Sequence, residues 1–115
     1  MKSGYKDLIV WQKAIKLVLL IYDLTKAFPQ NEIYGITSQM RRSSVSIPSN
    51  IAEGSKRRTK KDFEHFLSIA LGSAAELETQ LIISENLNLG DLSKINETKI
   101  LLDEILRMLY ALLKS

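Results

Sequence analysis

The chain has 115 residues, 45% of them hydrophobic and 25% charged, which suits one folded domain and excludes both a disordered chain and a protein with two cores. It has no cysteine, so disulfides, thiol nucleophiles and thiolate metal sites are excluded, and a reducing compartment fits. The formal net charge is +3, but residues 41–61, RRSSVSIPSNIAEGSKRRTKK, set seven basic side chains against the single carboxylate of Glu53, and the rest of the chain is net acidic. A field this concentrated suits a polyanion better than a small substrate.

The opening, MKSGYKDLIVWQKA, places charges on both sides of a short apolar stretch and has no small-residue cleavage pattern, so no signal peptide is expected. The longest unbroken apolar run, Leu17 to Tyr22, is far below the roughly 20 residues that a bilayer span requires. A cytoplasmic protein without a membrane partner is therefore expected.

The spacing predicts a first helix over about 7–28, with Asp7 as its N-cap and a stripe of Leu8, Trp11, Ile15, Val18, Tyr22 and Thr25. A second helix over 34–54 carries Ile36, Met40, Ser44, Ile47 and Ile51 and is expected to stop at Gly54. Pro48 falls inside it, which predicts a kink or local break, with Ser43, Ser44, Ser46, Ser49 and Asn50 placed to satisfy the freed carbonyls. Thr59 and Asp62 form a capping-box variant at the head of a third helix, 60–88, whose buried face is Phe63, Leu67, Ala70, Ala74, Leu77 and Leu81, with Gly90 as the stop. A fourth helix, 93–114, carries Ile95, Leu102, Ile105, Leu106, Leu109, Leu112 and Leu113. Four amphipathic helices on short turns predict an all-α, antiparallel up-down-up-down bundle in a single domain. Val10, Leu20, Ile21, Leu101 and Met108 lie beyond the main stripes and suit either a wide core or a subunit interface.

Catalysis finds little support. His65 is the only histidine, which leaves no two-histidine metal site, and no Glu-x-x-His element of the iron carboxylate bundles is present. Glu76/Glu78 and Asp103/Glu104 are spaced so that their side chains diverge on a helix, and the serine cluster at 43–49 has no histidine or lysine partner in a nucleophile pattern. No glycine-rich phosphate loop occurs. No metal, cofactor or enzymatic activity is expected. Glu76 and Gln80, one turn apart at the edge of the third helix's stripe, are placed to bond to Ser or Arg side chains of the second helix, to reach a subunit contact, or to face solvent.

SIPSNIAEG at 46–54, the basic junction after it and FEHFLSIALGSAAELETQL at 63–81 closely resemble the 23S rRNA intervening-sequence proteins, also labelled S23 ribosomal proteins. The likeness runs from YKDLIVWQKA to RMLYALLKS and maps the family motif onto Ser46, Ile47, Pro48, Asn50, Ile51, Ala52, Glu53 and Gly54, then Phe66, Leu67, Gly72, Ser73, Glu76, Leu77 and Gln80. The family commonly has a second glycine after Glu53-Gly54, where this chain has Ser55-Lys56-Arg57. The resemblance implies a left-handed four-helix bundle, a homopentamer and no established enzymatic activity. On this reading the chain is a bacterial, non-enzymatic homo-oligomer that binds RNA or DNA phosphates through Lys56, Arg57, Arg58, Lys60 and Lys61. Arg41 and Arg42, roughly 15 to 20 Å back along the second helix, suit the same role less well, or else a subunit contact or the core border. The competing reading is an interaction module that docks a polymerase or a ribosome-associated protein.

Overall fold

The computed structural model describes residues 4–115; the first three residues of the charged opening lie outside that range. Four α-helices, α1 (Ile9–Thr25), α2 (Ser38–Ser55), α3 (Lys60–Asn86) and α4 (Leu92–Lys114), make up most of it, and no strand occurs among the described residues. Each helix packs on its neighbour in sequence and α4 returns to α1, while diagonal pairs hardly touch. The turns at 56–59 and 87–91 are too short to reach anything but an antiparallel neighbour, so the arrangement is the expected up-down-up-down bundle, 46 × 24 × 21 Å.

The core follows the predicted stripes on α2, α3 and α4 but not on α1. Val10, Ala14, Leu17, Ile21 and Leu24 are the buried apolar residues of α1, together with Phe28 beyond its end. Most of the predicted stripe lies on an adjacent face: Leu8, Trp11 and Val18 are half-buried and Ile15 and Tyr22 are 37% and 43% exposed, while Thr25 alone of the set is buried. Both sets recur at steps of three and four, so periodicity alone could not rank them. The structure assigns Val10 and Ile21, and Leu101 on α4, to the core. A second apolar stripe is thereby left at the surface of α1.

Two termini differ from expectation. Asp7 does not cap α1; it ends a 3-10 turn, Tyr5–Asp7, and Leu8 precedes the helix with no side-chain cap. α2 starts at Ser38 rather than near Tyr34, because a π-helical turn at Ile33–Thr37 leaves helical geometry at Gly35 (φ −108°, ψ −118°). Pro48 does not break α2, which continues as α-helix to Ser55. The polar residues around it act locally, with Asn50 Nδ2 donating to the Ser46 carbonyl at 2.8 Å and Ser44 Oγ to the Arg41 carbonyl at 2.8 Å.

The α2/α3 seam is the tightest part of the bundle and explains most of the SIPSNIAEG and GSAAEL residues. Ser46 and Ser73 share a hydrogen bond of 2.8 Å across it, and Asn50 Nδ2 also donates to Ser46 Oγ at 2.9 Å. Arg42 reaches Glu76 at 3.3 Å, and Gln80 Nε2 donates to the same carboxylate at 3.4 Å. Gly54 closes the seam. It lies buried within the last turn of α2 and does not act as a C-cap: a Cβ there would sit 2.8 Å from Phe66 Cβ and 3.2 Å from the Phe63 carbonyl oxygen. Small side chains let helix axes approach closely, and here the absence of one lets α2 meet the aromatic pair that begins α3.

At the other end of α3 the stop is Asn88 rather than Gly90. Asn88 takes φ 56°, Leu89 N–H donates to the Ser84 carbonyl at 2.9 Å and Asn88 N–H to the Glu85 carbonyl at 3.1 Å, the bonding of a Schellman cap with Asn in the left-handed position. Asp91 then caps α4 by accepting the Ser93 N–H at 2.8 Å. Lys94 bridges α4 to Asp23 of α1 at 2.9 Å, and its hydrogen bond and charge hold the Asp23 carboxyl below the usual carboxylate range. By length and composition alone α3 is long and apolar enough to cross a bilayer. Its Leu67, Ala70, Ala74, Leu77 and Leu81 are fully buried in the bundle.

Candidate functional site

The basic residues divide into two groups with different surroundings. Arg41 and Arg42 lie in the middle of the bundle and are occupied. Arg41 Nε donates to Thr25 Oγ1 at 2.9 Å, and its guanidinium stands 4.6 Å from the centre of the Tyr22 ring, tying α2 to α1. Arg42 is the partner of Glu76. Both lie roughly 20 Å along α2 from the junction, and their assignment to that surface is not supported by where the structure puts them.

Lys56, Arg57, Arg58, Lys60 and Lys61 come together where the α2/α3 hairpin turns, and all five are exposed. Thr59 fixes the turn: its Oγ1 accepts the Asp62 N–H at 3.0 Å, as the sequence predicts, and with extended backbone (φ −112°, ψ 152°) it starts α3 abruptly. The C-terminal dipole of α2 attracts cations, which accounts for Lys56 and Arg57 without any ligand. Arg57 also pairs with Glu53 at 2.9 Å and lies 4.8 Å from the centre of the Phe66 ring, and Lys56 lies 5.7 Å from the centre of the Tyr5 ring.

The remaining three cations have no such explanation. Lys60 and Lys61 stand in the first turn of α3, where the dipole favours carboxylates, and only Asp62 offsets them. Lys60 Nζ donates to the Ser115 carbonyl at 2.6 Å. Arg58 and Lys61 have no ion-pair or hydrogen-bond partner among the described residues. This end of the molecule therefore presents cations together with the free N–H groups of a helix N-terminus, a combination that lowers the energy of a bound anion.

The junction also borders a cleft of about 420 Å³, which no motif in the sequence predicted. Tyr5 and Leu8 reach it from the 3-10 turn before α1, Phe63 from the first turn of α3, and Arg57, Arg58 and Lys60 from the junction. Aromatic side chains are absent from the basic run itself, so no stacking surface is expected from sequence; in the fold Tyr5 and Phe63 come to line the cleft beside that run. The signal that could have found it is the antiparallel pairing of the chain's start with the α2/α3 turn, which any up-down-up-down bundle requires.

His65 is exposed and packs edge-on against Phe66, with ring centres 5.4 Å apart. Among the described residues no three His, Asp or Glu side chains gather in a way that could hold a metal ion. Glu53, Glu76 and Gln80 each have a partner in the seam or the junction, while Gln80 Oε1 and Ser43 Oγ are buried without one.

Fold and surface together define a small all-helical bundle protein with one strongly basic end. Its residues 6–111 match the 23S rRNA-intervening sequence protein family, and the chain belongs to that family. No curated protein matches it. It is similar in structure to a protein of unknown function from the S23 ribosomal protein family of Bacteroides thetaiotaomicron, with 28% sequence identity, a TM-score of 0.84, and coverage of 93% of this chain and 100% of that one.

Proposed function

We propose that the protein is a non-enzymatic, cytoplasmic homo-oligomer that binds the phosphate backbone of RNA or DNA through the α2/α3 junction. The observation that carries this reading is the placement of Lys60 and Lys61 against the dipole of α3, beside Arg58, which has no partner among the described residues. Positive charge gathered there destabilises the free protein and is relieved when an anion binds. An extended anion fits better than a single phosphate, because the exposed cations run over both sides of the turn. Salt dependence tests the reading. Binding to a fluorescent duplex weakens by roughly 0.9 log units per log unit of salt for each phosphate neutralised. A steep slope is expected; a flat one points instead to a module that docks a protein partner through apolar contacts.

Assembly rests on the second stripe of α1 and the neighbouring Leu19, where Ile15 is 37%, Leu19 65% and Tyr22 43% exposed. An apolar row of this kind is ordinarily covered in solution. Light scattering after size exclusion is expected to give about five times the 13.0 kDa chain mass, the pentamer that the family resemblance implies. An Ile15→Glu/Leu19→Glu variant is expected to run as a folded monomer, and an unchanged mass in that variant overturns this placement of the interface.

A further inference from the structure

We propose that the cleft beside the junction receives an unpaired base, so that the protein prefers single-stranded nucleic acid to duplex. The proposal rests on phosphate binding at the junction and adds what the strand's bases do there. Three observations carry it. The cleft is lined by the apolar and aromatic side chains of Tyr5, Leu8 and Phe63 together with Arg57, Arg58 and Lys60, so a flat apolar group and its attached phosphate find matching surfaces in one place. Its volume of about 420 Å³ lies within the range of roughly 300–1,000 Å³ typical of ligand pockets and is ample for a nucleobase. Exposed Lys61 continues the positive surface beyond the cleft, which suits a strand passing over it rather than an isolated nucleotide.

Tyr5 is central to this arrangement. Its ring meets Trp11 edge-on at 5.3 Å between centres, and the Lys56 ammonium stands 5.7 Å from its own centre. The ring is thereby held on two sides while remaining part of the cleft wall. A base stacked on such a ring is reached only when it is free of its complement, because duplex bases present their edges and keep their faces covered. Asp7 also lines the cleft and offers an acceptor to the amino group of an adenine, cytosine or guanine, so the site need not be indifferent to base identity.

Three ten-residue DNA probes test the proposal at one low salt concentration: a thymidine strand, a strand of the same length and charge made of abasic residues, and the duplex of the thymidine strand with its complement. The wild-type protein is expected to bind the thymidine strand roughly tenfold more tightly than the abasic strand, the equivalent of about 1.4 kcal/mol and within the range for one base stacked on an aromatic ring. Binding of the thymidine strand should change the fluorescence of Trp11, the only tryptophan, and binding of the abasic strand should not. Tyr5→Ala is expected to remove the preference and Tyr5→Phe to keep it. Equal affinity for all three probes, unaltered by Tyr5→Ala, overturns the base-binding proposal and leaves phosphate binding standing. Failure of all three probes to bind overturns both.

Discussion

A protein carrying Arg58→Glu and Lys61→Glu is expected to fold and assemble like the wild type and to lose nucleic-acid affinity by roughly 25-fold or more at 0.1 M salt. The figure follows from two phosphate contacts on a single strand, each contributing about 0.7 to the slope of log affinity against log salt. Reversing the charges adds repulsion to that loss, and repetition of the site around an oligomer multiplies it. These two positions give the cleanest test because neither side chain has an intramolecular partner among the described residues. Reversal at Arg57 removes the Glu53 pair and the Phe66 contact as well, and reversal at Lys60 removes the bond to Ser115. Arg42→Glu serves as the control: it breaks the Glu76 pair, an exposed contact worth about 1 kcal/mol at most, and is expected to leave affinity within about twofold. Fluorescence anisotropy with circular dichroism and light scattering on the same samples separates a binding defect from a folding defect.

Gly54→Ala is expected to destabilise the protein, against the usual effect of this substitution within a helix. In an ordinary helix, alanine in place of glycine stabilises by about 0.5–1 kcal/mol. At this position the added carbon would lie 2.8 Å from Phe66 Cβ, an atom fixed directly to the backbone of α3 that cannot rotate away. The Phe63 carbonyl oxygen, also backbone of α3, would lie 3.2 Å away. The two helices must therefore separate along the seam that Ser46, Ser73 and Asn50 hold together, and overpacking of this kind costs about 1–3 kcal/mol, occasionally more. With the helix gain subtracted, net destabilisation of about 1 kcal/mol in urea unfolding is expected. A stabilised variant would contradict the close approach. Because the same helix turns carry the basic junction, the variant is also expected to bind nucleic acid more weakly than its stability alone explains.

The fold was readable because α2, α3 and α4 each have one dominant apolar face. α1 was misread because it has two. Leu8, Trp11, Ile15, Val18 and Tyr22 form as regular a heptad pattern as Val10, Ala14, Leu17, Ile21 and Leu24, and the first set contains larger aromatic side chains. Ala14 decides the matter only in three dimensions, where a small residue allows α1 to approach the bundle. The same ambiguity left Val10 and Ile21 open between a wide core and a subunit interface, and the structure buries both in the core. Gly54 misled for a related reason: glycine at the end of a helix usually adopts a left-handed conformation, whereas here the need is for space between two helices. At the far end of α3 the left-handed position fell to Asn88, while Gly90 with φ 75° is hemmed in by Phe28 and Leu24.

Within the candidate site, the sequence located the charge but not the architecture. Thr59 with Asp62 marked the start of α3 correctly, and that fixed which cations oppose the helix dipole. Helix spacing set Arg41 and Arg42 apart from the junction and left a subunit contact or the core border open to them; their contacts with Thr25, Tyr22 and Glu76 place them in the inter-helix framework. No local motif marks the cleft, since Tyr5 and Phe63 are far apart along the chain and come to line it only when the bundle brings the chain's start beside the α2/α3 turn.

The most direct test of the central claim is to map where a strand lies on the protein. Photocrosslinking of a 4-thiouridine-substituted RNA to the assembled wild-type protein, followed by mass mapping of the attached peptides, should place the label between residues 54 and 63 and on the segment that holds Tyr5. Crosslinks confined to α4, to the exposed stripe of α1 or to the surroundings of Arg41 and Arg42 would contradict it.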